Sequence, residues 1–325
     1  QIFGGTDNDD VPGTGSGFGV DNLNAYFGVG APPDHRTGLI FCCGFECGQL
    51  GSSGQHWTAA TGASVSTTTV RTGARSLRIN LSAQSCDVKS VVIAGKINVS
   101  RFYVRFATLP GADTYIMWFA GGTARVGVAF KQSTSTLHCA HNDTPTMAGA
   151  GVAITTGVWY RVDVKINHIS GSLSVNAQID GVALTQAVPS VAADAEVLHI
   201  GSSATVTGEW FFDDFAGSNT AAEYPLGLGH VDHFTLTADG THNISAANQY
   251  ERSDTGTDIT NATTDAYLLV DDVPLDTTTT DSVAATGPTS HSNYVEVAFG
   301  PASGISLPVA GPRGVEIIVA WNYPA

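Results

Sequence analysis

Apolar and polar side chains alternate with a strict two-residue period through much of the chain from about residue 38. Tyr160, Val162, Val164 and Ile166 fall on one face, with Arg161, Asp163, Lys165 and Asn167 on the other. That period belongs to an antiparallel strand buried on one side only. The same period sets Leu77, Ile79 and Leu81 against Arg78 and Asn80, and Phe102, Val104 and Phe106 against Arg101, Tyr103 and Arg105. It recurs at Val126, Val128 and Phe130, and at Leu173, Val175, Ala177 and Ile179. Many strands buried on one face imply two packed sheets. Turn residues punctuate the runs, with Asp180-Gly181 directly after one of them and Gly73, Gly121-Gly122, Gly157 and Gly171 between others. No segment of ten or more residues carries a helical period.

The pattern also divides the chain. Alternation is lost over AGSNTAAEYPLGLG, which carries Pro225, and resumes at Phe234 and Leu236, at Tyr267 to Val270, at Val295, Val297 and Phe299, and at Val315 to Trp321. Polar stretches such as SDTGTDITNATTD separate these runs. Residues 1–37 are Gly-rich, hold the acidic cluster Asp7, Asp9 and Asp10, and have no apolar period. The expectation is an all-β chain with an extended N-terminal arm over 1–37, a sandwich domain over 38–220 and a smaller β-sandwich domain over 221–325.

Composition narrows the function classes. Only 13% of residues are charged and 42% are hydrophobic, enough apolar material for folded cores. A net charge of -15 repels phosphate backbones and anionic lipid, so neither nucleic acid nor a membrane surface is an expected partner. No stretch approaches the roughly 20 apolar residues that span a bilayer, and QIFGGTDNDD lacks the basic and apolar regions of a signal peptide. The five cysteines, Cys42, Cys43, Cys47, Cys86 and Cys139, do not form the even, dense set of a small disulfide scaffold. Cys42 and Cys43 adjoin on one strand and are expected to point to opposite faces.

The segments LIFCCGFE, TGARSLRINLS, RFYVRF, GVWYRVDVKI, VNAQIDGVAL and GEWFFDDFAGS, in that order, resemble the laminin-G-like or concanavalin A-like jelly roll over roughly residues 38–220. The stretch opening with YPLGLGHVDHFTLTADGTHN and containing LLVDDVPLD and NYVEVAF looks like the partner domain behind such jelly rolls in structural proteins of tailed bacteriophages. The two resemblances together imply a non-enzymatic virion protein, either a capsid decoration or a tail or fibre component. Other virion proteins would be its partners, and symmetric virion sites imply a homo-oligomer such as a trimer. The alternative is a carbohydrate-binding, lectin-like module of a secreted or receptor-binding protein that recognises surface glycans.

The candidate chemistry is sparse. A hydrolase of this fold needs two facing carboxylates, and EWFFDDF offers Glu209, Asp213 and Asp214. On a regular strand Glu209 and Asp213 share a face but stand about 13 Å apart, so no catalytic pair is expected. No cofactor is expected. Jelly rolls of this class often carry a calcium in a loop, which makes calcium the candidate ion and Asp213 and Asp214 the metal candidates. Hydrogen bonding to loop amides explains the two aspartates equally well. Asp271 and Asp272 offer similar oxygen ligands. His138, Cys139 and His141 are too few for a transition-metal centre without partners from elsewhere. Trp159 is out of phase with Tyr160 and Val162 and should face away from their side of the sheet, marking either a carbohydrate-binding face or a subunit contact.

Overall fold

The computed structural model describes residues 17–28, 39–46, 48, 50–51, 57–89, 97–121, 124–167, 173–188, 197–239, 250–252, 258–259, 283–285, 297–301 and 314–322. Apart from two short 3-10 turns at Gln132–Thr134 and Ala221–Glu223, the regular elements among these residues are strands. The all-β expectation holds. The chain divides into two compact units, one of Tyr26–Phe45 with Gln49–Val231 and one of Gln1–Ala25, Glu46–Gly48 and Asp232–Ala325.

In chain order the strands are β1 (Gly17–Gly28), β2 (Leu39–Cys43), β3 (Ala63–Ser66), β4 (Ser76–Lys89), β5 (Val99–Thr108), β6 (Thr114–Gly121) and β7 (Ala124–Lys131). There follow β8 (Thr136–His141), β9 (Thr146–Met147), β10 (Val152–Ala153), β11 (Trp159–Asn167), β12 (Ser174–Ile179), β13 (Val182–Ala183) and β14 (Val197–Ser218). The last six are β15 (Gly229–Asp239), β16 (Tyr250–Arg252), β17 (Asp258–Ile259), β18 (Val283–Ala285), β19 (Val297–Pro301) and β20 (Gly314–Asn322).

Strands β2 to β14 form one curled antiparallel sheet that folds onto itself as a sandwich. Its main path runs β10-β8-β7-β6-β14-β5-β11-β12-β13, with β2 and β4 also on β14 and β3 on β4. The 22-residue β14 makes this closure. Its first residues pair with β6 through Val197↔Ala120 to Ile200↔Met117, and its last pair with β5 through Glu209↔Thr108 to Ser218↔Val99. Along the other edge lies β4, followed by β2. Register shifts at Ser202/Val206 and Val206/Gly208 bend the strand out of one layer and into the other, as bulges do at sheet corners.

Between the layers the alternating apolar residues form one continuous core. Phe106 of β5 meets Phe130 of β7 across it at 6.0 Å between ring centres, and Phe102 stacks on Phe215 at 5.7 Å. Burying each of these rings contributes on the order of 2 kcal/mol from area alone. Cys43 enters this core while Cys42 joins a separate cluster with Val99, Ala216 and Leu226, so the adjacent thiols face opposite ways. Cys42, Cys43, Cys86 and Cys139 are buried, and Cys47 lies outside the described residues. The hairpin between β12 and β13 turns at Asp180 (φ 50°) and Gly181 (φ 88°), the two left-handed positions that an Asp-Gly pair favours.

The second unit contains a sheet of order β17-β16-β18-β1-β15-β19, with β20 also on β1. Leu236↔Phe299 marks the register of β15 and β19. Gly17–Gly28, inside the stretch read from sequence as an arm, is therefore a strand of this sheet. Phe18 and Val20 alternate with Gly19 and Asp21 there, a signal diluted by the surrounding glycines. The expected run at Tyr267 to Val270 lies outside the described residues.

Candidate functional site

The face of the β3-β4-β14-β5-β11 layer that turns away from the core carries the polar half of the alternation. Four registers place one residue from each strand in a single transverse row: Ser64↔Arg78, Arg78↔Phe211, Phe211↔Arg105 and Arg105↔Trp159. At the usual spacing of paired strands this row is about 19 Å long. Arg78, Arg105 and Trp159 are partly exposed, and Phe211, 4% exposed, forms an apolar floor between the two arginines.

At one end of the row a groove of about 400 Å³ is lined by Ser64, Ser66, Thr67, Thr68, Thr69, Arg78, Glu209 and Phe211, among others. The lining is dominated by hydroxyls because the edge strand β3 runs straight into the Thr-rich loop after it. Arg78 donates its Nε–H to Glu209 Oε1 at 2.7 Å, in an ion pair that is partly open to solvent. At the other end Arg105 donates its Nε–H to the Gly157 carbonyl at 3.1 Å, next to Val158, which is 45% exposed, and Trp159.

The lower part of the same face is covered. Residues 224–229 cross it, with Leu226 buried against Cys42, Val99 and Ala216. The Gly227 amide donates to Asp163 Oδ1 at 3.0 Å, and Arg71 Nη1 donates to the Gly229 carbonyl at 3.3 Å. Asp163 also accepts from Arg161 Nε at 2.8 Å. Burial pushes the Asp163 carboxyl above its ordinary range, against the opposing pull of Arg161, the Gly227 amide, Arg101 and Gln178.

Asp213 and Asp214, the candidate calcium ligands, lie under this covered part and are fully buried. Between Asp213↔Tyr103 and Ala216↔Arg101 the strand carries one extra residue, and Asp214 takes the left-handed conformation (φ 51°) of a bulge. Asp213 Oδ2 accepts the Arg71 amide at 2.8 Å, and Asp214 Oδ1 accepts the Thr72 hydroxyl at 2.6 Å. Asp214 Oδ2 accepts from the Arg71 guanidinium, which lies 3.4 Å from the centre of the Tyr103 ring. The pair thus clamps the loop between β3 and β4. Among the described residues no group of three or more His, Cys, Asp or Glu side chains is placed to hold a metal ion. Asp271 and Asp272 lie outside them.

Of the other sequence candidates, Cys139 is a core residue, and His138 is buried with Nε2 2.7 Å from the Thr136 hydroxyl. Glu209 faces Arg78 and Asp213 faces Arg71, so the two carboxylates are not brought together. Sequence reasoning missed the row itself, because Phe211 and Arg105 become neighbours of Trp159 only through the registers. It also missed His199, whose Nδ1 lies 2.6 Å from Asp87 Oδ1 and whose ring stacks on Trp118 at 5.1 Å. Burial raises the Asp87 carboxyl, but the hydrogen bond and charge of His199, together with Lys89, outweigh it and hold the group below its ordinary value.

No family model matches the sequence, and no curated protein matches it. Solved structures of similar shape are found at low identity. Domain 4 of AbnA, an extracellular GH43 arabinanase from Geobacillus stearothermophilus seen with arabinotriose, is 13% identical over 57% of this chain and 96% of its own, with a TM-score of 0.42. The alginate lyase vAL-1 from Chlorella virus is 9% identical over 52% of this chain and 95% of its own, at 0.38. Trypanosoma rangeli sialidase is 14% identical over 49% of this chain, at 0.35, and the match spans only 27% of the sialidase. The expectation of a non-enzymatic chain is corrected by these matches. Enzymes stand among them.

Proposed function

We propose that the β2–β14 sandwich is a carbohydrate-binding module and that its open outer face is the binding surface. One observation carries the reading: the transverse row Ser64, Arg78, Phe211, Arg105 and Trp159, uncovered and continuous with the hydroxyl-lined groove. A sugar ring offers an apolar face of C–H groups and a rim of hydroxyls. It is held best where an aromatic side chain stands beside planar, charged hydrogen-bonding groups. Trp159 supplies the aromatic surface, while Arg78, Glu209 and the serine and threonine hydroxyls supply donors and acceptors. The length of the row suits a glycan chain better than a single sugar. The arabinotriose bound by the AbnA domain is in keeping with such a role.

Binding to a glycan array, lost or weakened about tenfold in Trp159→Ala with the fold intact, is the expected result. An array with no binding, or a Trp159→Ala protein that binds like the wild type, would overturn the reading. The setting belongs to the same proposal. A virion surface, with capsid or tail proteins and further copies of the chain as neighbours, is supported by the resemblance of the C-terminal segments to phage structural proteins. Co-sedimentation with such particles tests it.

A further inference from the structure

The outer face holds two arginines that are each tethered at one edge. Arg78 gives its Nε–H to Glu209, and Arg105 gives its Nε–H to the Gly157 carbonyl. A guanidinium is a planar fork of five N–H donors, so a bond at Nε fixes the plane and leaves the Nη1/Nη2 edge to be satisfied. Among the described residues neither arginine places that edge on a partner. The two stand on either side of Phe211 in the same row, about 10 Å apart at their Cα atoms.

Their electrostatic situations differ. Arg78 is neutralised locally by Glu209 at 2.7 Å. Arg105, beside Trp159, is anchored by a neutral carbonyl and has no carboxylate partner among the described residues. In a chain of net charge -15, a guanidinium with no carboxylate partner among the described residues attracts a negative group that the rest of the molecule repels. Its free edge matches the two oxygens of a carboxylate in a bidentate pair.

We propose that the glycan taken by this face is acidic, a chain of uronate-bearing sugars. Arg105 reads a ring carboxylate while Trp159 packs on the ring, and Arg78 contacts a sugar farther along the row. The proposal rests on the carbohydrate-binding reading and adds the ligand class. Nucleic acid, the other common polyanion, requires several lysines and arginines in a stripe, which this row does not have.

The test is calorimetric titration of the full chain with polygalacturonate, polymannuronate and hyaluronan, each compared with its carboxyl-reduced form. At least one uronate chain is expected to bind tenfold or more tightly than its reduced form, with the difference shrinking at high salt. Arg105→Gln is expected to abolish that preference, and Arg105→Lys to restore only part of it, because an ammonium keeps the charge but loses the fork. Trp159→Ala is expected to weaken both forms. Equal binding of parent and reduced chains, or a preference that survives Arg105→Gln, overturns the acidic-ligand assignment. Should the reduced chains still bind in a Trp159-dependent way, the carbohydrate-binding reading stands without it. Binding by none of the chains, acidic or neutral, overturns both.

Discussion

Two aspartates show how the same side chain acquires opposite roles from its surroundings. Asp163 is buried beneath the segment 224–229, and burial outweighs its partners, so its carboxyl is raised. The folded protein then holds that proton more tightly than the unfolded chain. Stability falls as pH rises from the unfolded value of about 4 through the raised one, and the cost is constant above it. Asp87 is the reverse: its partners outweigh burial and its carboxyl is lowered. Its contribution is complete above about pH 4 and is lost as pH falls through the depressed value. Thermal melts of wild type, Asp163→Asn and Asp87→Asn between pH 3 and 7 should therefore diverge with opposite slopes. Relative to wild type, Asp163→Asn gains as pH rises from about 4, and Asp87→Asn regains its deficit as pH falls below about 4. Parallel curves would mean that neither shift is real. Asp163 was visible in the sequence as a polar position of an alternating strand. The environments of the two aspartates were not, because Asp163 is buried by a segment some sixty residues away and Asp87 is paired by His199.

At the scale of the element, the long strand β14 fixes the shape of the sandwich. It serves both layers, and it does so because it bends where Gly201 takes φ 127° and the register slips twice soon afterwards. A Cβ at Gly201 would stand 2.4 Å from the Cys86 carbonyl oxygen of the paired strand, so the site is closed by backbone as well as strained by its dihedral. Gly201→Ala is expected to cost about 3 kcal/mol or more in chemical denaturation, well beyond the ordinary cost of an exposed glycine substitution. Loss of less than about 1 kcal/mol would show that the corner can relax. This element also marks how far alternation can be read. The period gave the faces of Val162 and Val164, of Leu77 and Ile79, and of Phe102 and Val104, because a half-buried strand writes its burial into every second residue. A bulge leaves no such trace. EWFFDDF read as a regular strand would place Asp214 with Trp210 and Phe212 toward the core, whereas the inserted residue turns it to Arg71 and Thr72 and gives the core position to Phe215. Likewise the phase of Trp159 was legible, but its row mates were not, since a register is a relation between strands.

The whole sandwich is closed by a single core, and its thiols report on that closure. Cys86 lies on β4, where that strand pairs with β14 just before its bend, and Cys139 on β8, and both side chains enter the same buried cluster. Burial raises each thiol to about 12, with the charge of Asp87 adding to the effect at Cys86. Since the thiolate is the reactive form, both sulfurs are protected twice in the folded state, by exclusion of reagent and by protonation. Labelling then requires opening of the core. If the layers are held together by contacts such as Phe106 on Phe130, opening one exposes the other, and the two cysteines should become reactive at the same denaturant concentration and with the same free energy. Pulsed thiol labelling resolved by peptide mass analysis measures this directly. Phe130→Ala, which leaves a cavity between the layers and should cost about 3 to 5 kcal/mol, is expected to shift both sites together. Labelling of Cys86 well before Cys139 would instead mean that the β4-β14 corner opens as a local unit while the β7-β8 layer persists. The row on the outer face would then sit on a scaffold able to flex, because Arg78 and Phe211 stand on the two strands that open.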